Sequence, residues 1–487
     1  MLQEVLTLKK HRVAAVALIA VYGCLFLPIA LRPTSAFASP GGNVRALPAF
    51  ARKYGMPCSS CHEVWPKLSP FGQQFKDNGY QMGNEKDAPI YQNPAYWPVT
   101  FRITPNWHRE NTNRVAVDGT APGSTVEASI TTHGFDWSGL DFHTAGTLAK
   151  NISFYVLPSS DSTGAFHFES VWGRFDNLGG SPWLNLKFGK FELDNLHSEK
   201  RILTLSNVGG SYQNYHFQPL VSPGSPTNAQ VAEGLYTFGI GDNQVGVEWM
   251  GHSKDDRTRV SASVLNSNDG QPNFSSNNGA NDTFITGKSY NGYFAASQAF
   301  EFGSLGLQRV GGFAYLGQAP TYFKFASGGA PLVFPGSGTG YKGFYRAGFI
   351  GMWYVKKLDV TSMFFHGWDS AFLGSNTPAN QPLPAGASAP TWNGGLIEAH
   401  YTFGPQYIWI NRYELVRMSR QVFASNPSNF GDIDVGTTGF RYYPFISSRA
   451  GFAIHSEFSI KRQRGAAPTT GLDLITSSLF FGLDFAF

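Results

Sequence analysis

The sequence predicts an all-β transmembrane protein: an antiparallel outer-membrane β-barrel of about sixteen strands, preceded by a small α-helical segment. Three observations predict it. The chain ends on Leu479-Phe480-Phe481-Gly482-Leu483-Asp484-Phe485-Ala486-Phe487, where Leu479, Phe481, Leu483, Phe485 and Phe487 fall on one face of a strand. The same two-residue period recurs at Val126–Ile130, Leu140–His143, Val245–Trp249, Val260–Val264, Leu396–Tyr401 and Phe452–Phe458. Each of these has one apolar face and one small, polar or charged face, as a wall between lipid and a wet lumen requires. Beyond about residue 95, no uninterrupted apolar run reaches the length of a spanning helix. The 41 Phe, 21 Tyr and 11 Trp supply the aromatic girdles of such a wall, and the 55 Gly suit turns and close strand contacts.

Residues 1–38 read as an export leader. Lys9, Lys10 and Arg12 precede an apolar core, Val13 to Leu31, and Ala36-Phe37-Ala38 is an A-x-A cleavage pattern. The core is also about long enough to anchor in a membrane. Cleavage removes Cys24, so Cys58 and Cys61 become the only thiols of an exported chain. Without Lys9, Lys10, Arg12, Arg32 and Glu4, the 37 basic and 33 acidic residues become 33 and 32, a net charge of +1 with His neutral. The basic balance therefore belongs to the leader, and no nucleic-acid partner is expected.

Residues 39–95 form the helical segment. Pro48 to Gly55 reads as a short helix with Phe50 and Tyr54 four apart on one face and Gly55 as its stop. Ser69 reads as an N-cap and Pro70 as the first helical position of a second helix that ends at Asn78-Gly79, with Phe71 and Phe75 on one face. Between them lies Cys58-Ser59-Ser60-Cys61-His62. Two thiols three positions apart can add across the two vinyl groups of one haem, and the following histidine is then placed as an axial iron ligand. A zinc site needs two further Cys or His ligands at close spacing, and a redox dithiol sits in an α/β unit that this stretch does not resemble. A structural disulfide is geometrically open but closes one short loop only.

The reading is one covalent haem c on Cys58 and Cys61 with His62 on iron. For the sixth position, Met82 is the first candidate, because a thioether raises the potential. His108, His133, His143 and an open position compete, whereas Met56 lies too close to Cys58 to reach the opposite face. Phe50, Tyr54, Trp65, Leu68, Phe71, Phe75 and Tyr80 are candidates to wrap the porphyrin or to pack on the barrel wall. A segment of this size cannot build a core alone.

Residues 96–487 form the barrel, with strands from about residue 97. Turns are expected at Gly179-Gly180-Ser181-Pro182, Gly241-Asp242-Asn243 and Lys254-Asp255-Asp256. Longer loops are expected at 206–230, 266–288, 317–341, 370–393 and 463–470, with the long connections on one side and the short ones on the other. Glu398 with His400, and His455 with Glu457, share strand faces and read as solvated lumen pairs. Glu63, Glu85 and Asp87 are either surface charge or a bias for cations near the haem edge. There is no nucleophile triad, phosphate-binding glycine loop or catalytic carboxylate pair.

Several of these stretches together resemble a known family: Pro48-Ala49-Phe50-Ala51-Arg52, Pro57-Cys58-Ser59-Ser60-Cys61-His62, Leu68-Ser69-Pro70-Phe71-Gly72 and Phe75-Lys76-Asp77-Asn78-Gly79-Tyr80. They look like the head of the fused outer-membrane monohaem cytochrome c–porins best known from iron-oxidising bacteria. The likeness is specific over residues 48–80 and architectural over the barrel, and the aromatic Phe487 resembles the end of a barrel's closing strand. It implies a small cytochrome plugging or capping a barrel, a place in the outer membrane among its lipids, and an oxidoreductase-like electron-transfer activity. The electrons would come from extracellular Fe(II) or another one-electron donor and pass to a periplasmic cytochrome or copper protein. A haem-plugged solute porin, or a conduit running outward, is the alternative.

Overall fold

In the computed structural model of the chain, the described residues are 49–56, 58–64, 67–83, 87, 89, 99–160, 164–193, 243–266, 290–320, 322–323, 332–333, 341–370, 389, 391–404, 406–418, 432–446, 451–465, 467 and 469–486. The leader and Phe487 lie outside them. Among the described residues, sixteen strands close into one barrel.

In chain order the strands are β1 (Val99–Asp118), β2 (Thr125–Ala149), β3 (Ile152–Ser160), β4 (Phe166–Phe175), β5 (Asn185–Glu192), β6 (Asn243–His252), β7 (Thr258–Asn266) and β8 (Tyr290–Glu301). They continue as β9 (Leu307–Pro320), β10 (Tyr341–Val355), β11 (Leu358–Asp369), β12 (Thr391–Gly404), β13 (Tyr407–Met418), β14 (Ile433–Ile446), β15 (Gly451–Gln463) and β16 (Leu474–Ala486). Each pairs antiparallel with its sequence neighbours, and β16 closes on β1 with Phe481 opposite Trp107 and Thr476 opposite Thr112. Closure leaves no edge strand along the ring, so the ladders satisfy the backbone groups that lipid cannot.

The two-residue period sorts the side chains as expected. On β16, Phe481 and Leu483 face outward and exposed, while Thr476, Ser478, Phe480 and Asp484 turn inward and are buried. On β6, Val247 and Trp249 are outside and Glu248 is fully buried inside. The inner wall has two characters. Across β8–β12 it is mainly apolar, with Tyr293, Phe313, Tyr315, Phe344, Phe365 and Leu396 all buried in one cluster and Arg346 buried over the Phe344 ring. From β12 through β16 to β2 it carries charge. His400 Nε2 lies 2.5 Å from Glu398 Oε1, Arg412 reaches Glu398 at 3.5 Å, and His455 pairs with Glu457. Arg441 bridges His455 and Asp484, and Arg102 joins Asp484 to Asp141. The pairs expected to be solvated are thus sealed members of ion-pair chains. Bare charge facing apolar neighbours is too costly, so these carboxylates take partners from their own strand, as Glu457 does with His455, or from other strands, as Asp484 does with Arg102 and Arg441.

Connections differ by end. One end has Lys150-Asn151, 176–184, 253–257, 302–306, Lys356-Lys357, 405–406 and 447–450; the other has the short 119–124 and 161–165 and the longer 193–242, 267–289, 321–340, 370–390, 419–432 and 464–473. The turns expected at 179–182 and 254–256 are present, with left-handed backbone at Gly179, Gly180 and Asp256. The third is displaced, because Asn243 already opens β6 and residues 241–242 lie outside the described residues. Loops expected to begin at 266, 317 and 463 and to end at 393 give way to strand: Asn266, Gly317–Pro320, Thr391–Asn393 and Gln463 all pair. The reason is visible at Gly317, where an added Cβ would lie 2.1 Å from the Phe344 ring. There glycine makes room for a cross-strand aromatic rather than a turn.

Candidate functional site

The helical segment begins with α1 (Ala49–Tyr54), which stops at Gly55 with φ +68°. The Cys-x-x-Cys stretch is itself one helical turn, α2 (Cys58–Cys61). A helical turn brings positions 58 and 61 to one side of the backbone. His62 follows at once and opens a short antiparallel pair, opposite Leu68. The chain then returns into α3 (Pro70–Asp77), with the expected N-cap: Ser69 Oγ accepts the Gly72 N–H at 3.1 Å. Ser69 also ties α3 back to α2. Its N–H donates to the Cys61 carbonyl at 2.9 Å, and its hydroxyl donates to the Ser60 carbonyl at 3.1 Å. Gly72 packs so closely that a Cβ would sit 1.9 Å from the Cys61 oxygen. The Cys61–His62 turn is therefore clamped by the start of α3.

The aromatic side chains collect into one cluster. Phe50 meets Phe75 edge-on at 5.2 Å and stacks on Tyr80 at 4.6 Å, and Tyr54 meets Phe75 edge-on at 5.3 Å. Met56 and Met82 pack half-buried on the same cluster. The stack continues into the barrel wall, from Tyr80 to Trp172 at 6.1 Å and from Trp172 to Tyr155 at 5.9 Å. Packing on the barrel wall is thus present at Tyr80, through Trp172. Phe71 keeps its helical spacing from Phe75 but not its burial. It is 38% exposed and, with Leu68, lines a cavity of about 430 Å³ completed by the barrel's Leu307, Met352 and Tyr354. Trp65 lies outside the described residues.

Buried polar contacts fix this segment at the short-turn end of the barrel. Arg259 of β7 reaches Asp77 at 2.6 Å and Asp256 at 2.6 Å. Arg174 of β4 holds Asp176 at 2.5 Å and donates to the Lys76 carbonyl at 2.6 Å. Lys76 pairs with Glu192 at 3.6 Å, and Lys53 donates to Thr147 of β2 at 3.4 Å. Gly79, at φ +74°, lies against the Asp176 carboxylate so closely that a Cβ would be 2.4 Å away. Burial alone would raise the Asp77 carboxyl, but Arg259, then Lys76 and Arg174, outweigh it and hold the group below the usual carboxylate range. Burial pulls the Lys53 ammonium below its usual value, and Asp87 offsets part of that.

The ligand candidates divide as follows. Cys61 and His62 are half-buried beside α3, and the Cys58 side chain lies outside the described residues. Met82 packs half-buried against the apolar cluster that joins the segment to the wall. His143 instead bonds Tyr155 Oη at 2.8 Å, His108 lies 3.4 Å from Asn106 Oδ1, and His133 is exposed on β2. Asp87 is no free surface charge, since it accepts bonds from Tyr54 and from two backbone N–H groups. Glu85 and the side chain of Glu63 lie outside the described residues. Among the described residues, no group of three or more His, Cys, Asp or Glu side chains is arranged to hold a metal ion. The donor set, two cysteine positions on one helical turn, a histidine next in chain, thioethers nearby and an aromatic bed, fits a covalently held porphyrin. Arg174 and Arg259, which fix the segment, were not singled out by motif or period. An inward charge next to a turn is the only signal they give.

The fold and this mouth define a class of protein, an outer-membrane-type sixteen-stranded barrel carrying a short helical segment in its short-turn end. No protein-family model matches the chain, and no curated protein sequence matches it. Solved structures similar to it are porins and channels. The outer membrane channel DcaP of Acinetobacter baumannii is 11% identical, with a TM-score of 0.44 over 80% of this chain and 97% of that one. An anion-selective porin from Comamonas acidovorans is 9% identical, with a TM-score of 0.44 over 80% and 99%. OmpT of Vibrio cholerae is 11% identical, with a TM-score of 0.40 over 80% and 99%. At these values the barrel assignment rests on the closed ladder itself.

Proposed function

We propose that this chain is an outer-membrane electron-transfer protein that takes electrons from extracellular Fe(II), or another one-electron donor, and passes them to a periplasmic cytochrome or copper protein. The group responsible is a haem c held through thioethers at Cys58 and Cys61 with His62 on iron, which when bound supplies a one-electron couple. The observation that supports this most is the placing of Cys58–Cys61 on one helical turn, followed by His62, in a segment latched into the barrel. The residues then have separable tasks. Ser69 and Gly72 fix the Cys61–His62 turn, and Phe50, Tyr54, Phe75 and Tyr80 give an apolar bed. Arg174, Arg259 and Lys53 keep the segment in the mouth. In outer-membrane barrels the short turns face the periplasm. The segment then lies on the inner side, and the lumen is the donor's way in.

A second reading, a solute porin with a haem plug, is favoured by the barrel itself, since sixteen strands are wide enough to leave an aqueous channel. Stopped-flow mixing of the purified protein with Fe(II), following the haem Soret and α bands at the organism's working pH, tests the first reading. Reduction is expected, and an unchanged spectrum removes the iron assignment. Planar-bilayer recording on the same preparation then decides for the porin if open-channel currents dominate.

A further inference from the structure

One carboxylate ties the Met82 turn to α1. Asp87 Oδ1 accepts from Tyr54 Oη and from the Met82 N–H, both at 2.7 Å, and Oδ2 accepts from the Gly83 N–H at 2.6 Å. Two successive N–H groups can converge on one carboxylate because Gly83 takes φ +75°, which costs glycine little. Bonds from N–H and O–H to an ionised carboxylate are among the stronger neutral–charged contacts. The backbone carbonyl of Asp87 is held in turn by Thr147 Oγ1 of the barrel at 3.3 Å, and Thr147 also receives Lys53. Asp87 thus joins α1, the Met82–Gly83 turn and the wall. With its N–H fixed, Met82 is left only its own side-chain rotations, and it packs half-buried against the apolar cluster to which Tyr54, Phe75 and Tyr80 belong. The histidines competing for the sixth position sit in barrel ladders and have other surroundings: His143 bonds Tyr155, His108 lies beside Asn106, and His133 is exposed.

We propose that Asp87 is a positioning residue: by fixing the Met82 backbone it would hold the Met82 thioether ready to ligate a haem carried by Cys58, Cys61 and His62. This rests on the haem reading above. The test uses the full-length, haem-loaded protein purified from outer membranes. Three properties are read: haem stain after denaturing electrophoresis, the midpoint potential, and the far-red absorption band that marks thioether on ferric iron. Met82→Ala is expected to lower the potential and abolish the band. Asp87→Ala should do both in part, Asp87→Asn less, and Tyr54→Phe, which removes one donor only, least.

The Asp87→Ala, Met82→Ala double variant should fall no further than Met82→Ala alone, because one residue acts through the other. A wild-type band and potential in Asp87→Ala, while Met82→Ala shifts both, overturns the role of Asp87. No shift in Met82→Ala overturns it as well, with the stain still positive and the haem reading intact. A wild-type protein without covalent stain sinks that reading and this one together. Should Asp87→Ala lose the heat-modifiable mobility of a folded barrel, the Tyr54→Phe and Asp87→Asn potentials decide.

Discussion

Sixteen barrel strands satisfy their backbone groups through a closed set of ladders, whereas the three helices in the mouth have six, four and eight residues. Helices that short are not stable alone in water. They are held by side chains, and about half of those belong to the wall: Trp172, Arg174, Glu192, Arg259 and Thr147. The barrel does not need the segment to close, but the segment needs the barrel to stay folded. The comparison teaches where each region is vulnerable. A change at the interface should loosen the segment and spare the barrel, and a result that disturbs both would break that asymmetry.

The largest effect is expected from Arg259→Ala. Its guanidinium lies between Asp77 and Asp256, with the side chains of Arg259 and Asp77 only 7% and 6% exposed. Removing one partner of a buried pair costs about 3–5 kcal/mol, because the remaining charge is left in a poor medium. Lys76, Arg174 and His252 still act on Asp77, so the lower end of that range applies. Limited proteolysis should cut the segment preceding β1 in the variant and leave a barrel core of unchanged heat-modifiable mobility. An equally resistant segment would show that the aromatic stack alone holds it.

Acid should act at the same place. The Asp77 carboxyl is held below its ordinary range when the segment is docked. Its contribution is therefore fully present above the unfolded carboxylate value and is lost as pH falls through the docked one. Docking, read by protease resistance against pH, should weaken at the acid end, and Asp77→Asn should flatten that dependence at the cost of weaker docking at neutral pH. A profile unchanged in Asp77→Asn would move the acid response to another group.

The barrel was legible in the sequence because a wall between lipid and lumen forces a two-residue period, and Phe481, Leu483, Val247 and Trp249 obey it. A glycine misled one loop boundary, since Gly317 leaves space for the Phe344 ring on the neighbouring strand. That role depends on register, which no local pattern encodes. In the segment, caps and stops were legible: Gly55, Ser69, Pro70 and Gly79 act as read. The partners of Asp77 and Lys76 were not. Arg259 and Arg174 lie 182 and 98 residues further along the chain, counted from Asp77 and Lys76 in turn, and only the closed ring brings them to one mouth. Phe71 shows the same limit. Its helical spacing from Phe75 is right, but the wall decides which of the two is covered.

The smallest effect sharpens the comparison most, because it separates the segment's own folding from its docking. Ser69 caps α3 through the Gly72 N–H and holds the Ser60 and Cys61 carbonyls. Ser69→Ala removes both hydroxyl bonds and keeps the backbone bond to Cys61, a loss of about 1 kcal/mol. The contacts of Asp77 and Lys76 at the other end of α3 are untouched, so protease resistance at neutral pH should change little. Hydrogen exchange at the first turn of α3 and at the Cys61–His62 turn should rise several-fold, with exchange at β7 unchanged. Equal gains at both ends of α3 would mean that cap and latch form one cooperative unit, and the segment would then be an extension of the wall rather than a separate body seated in it.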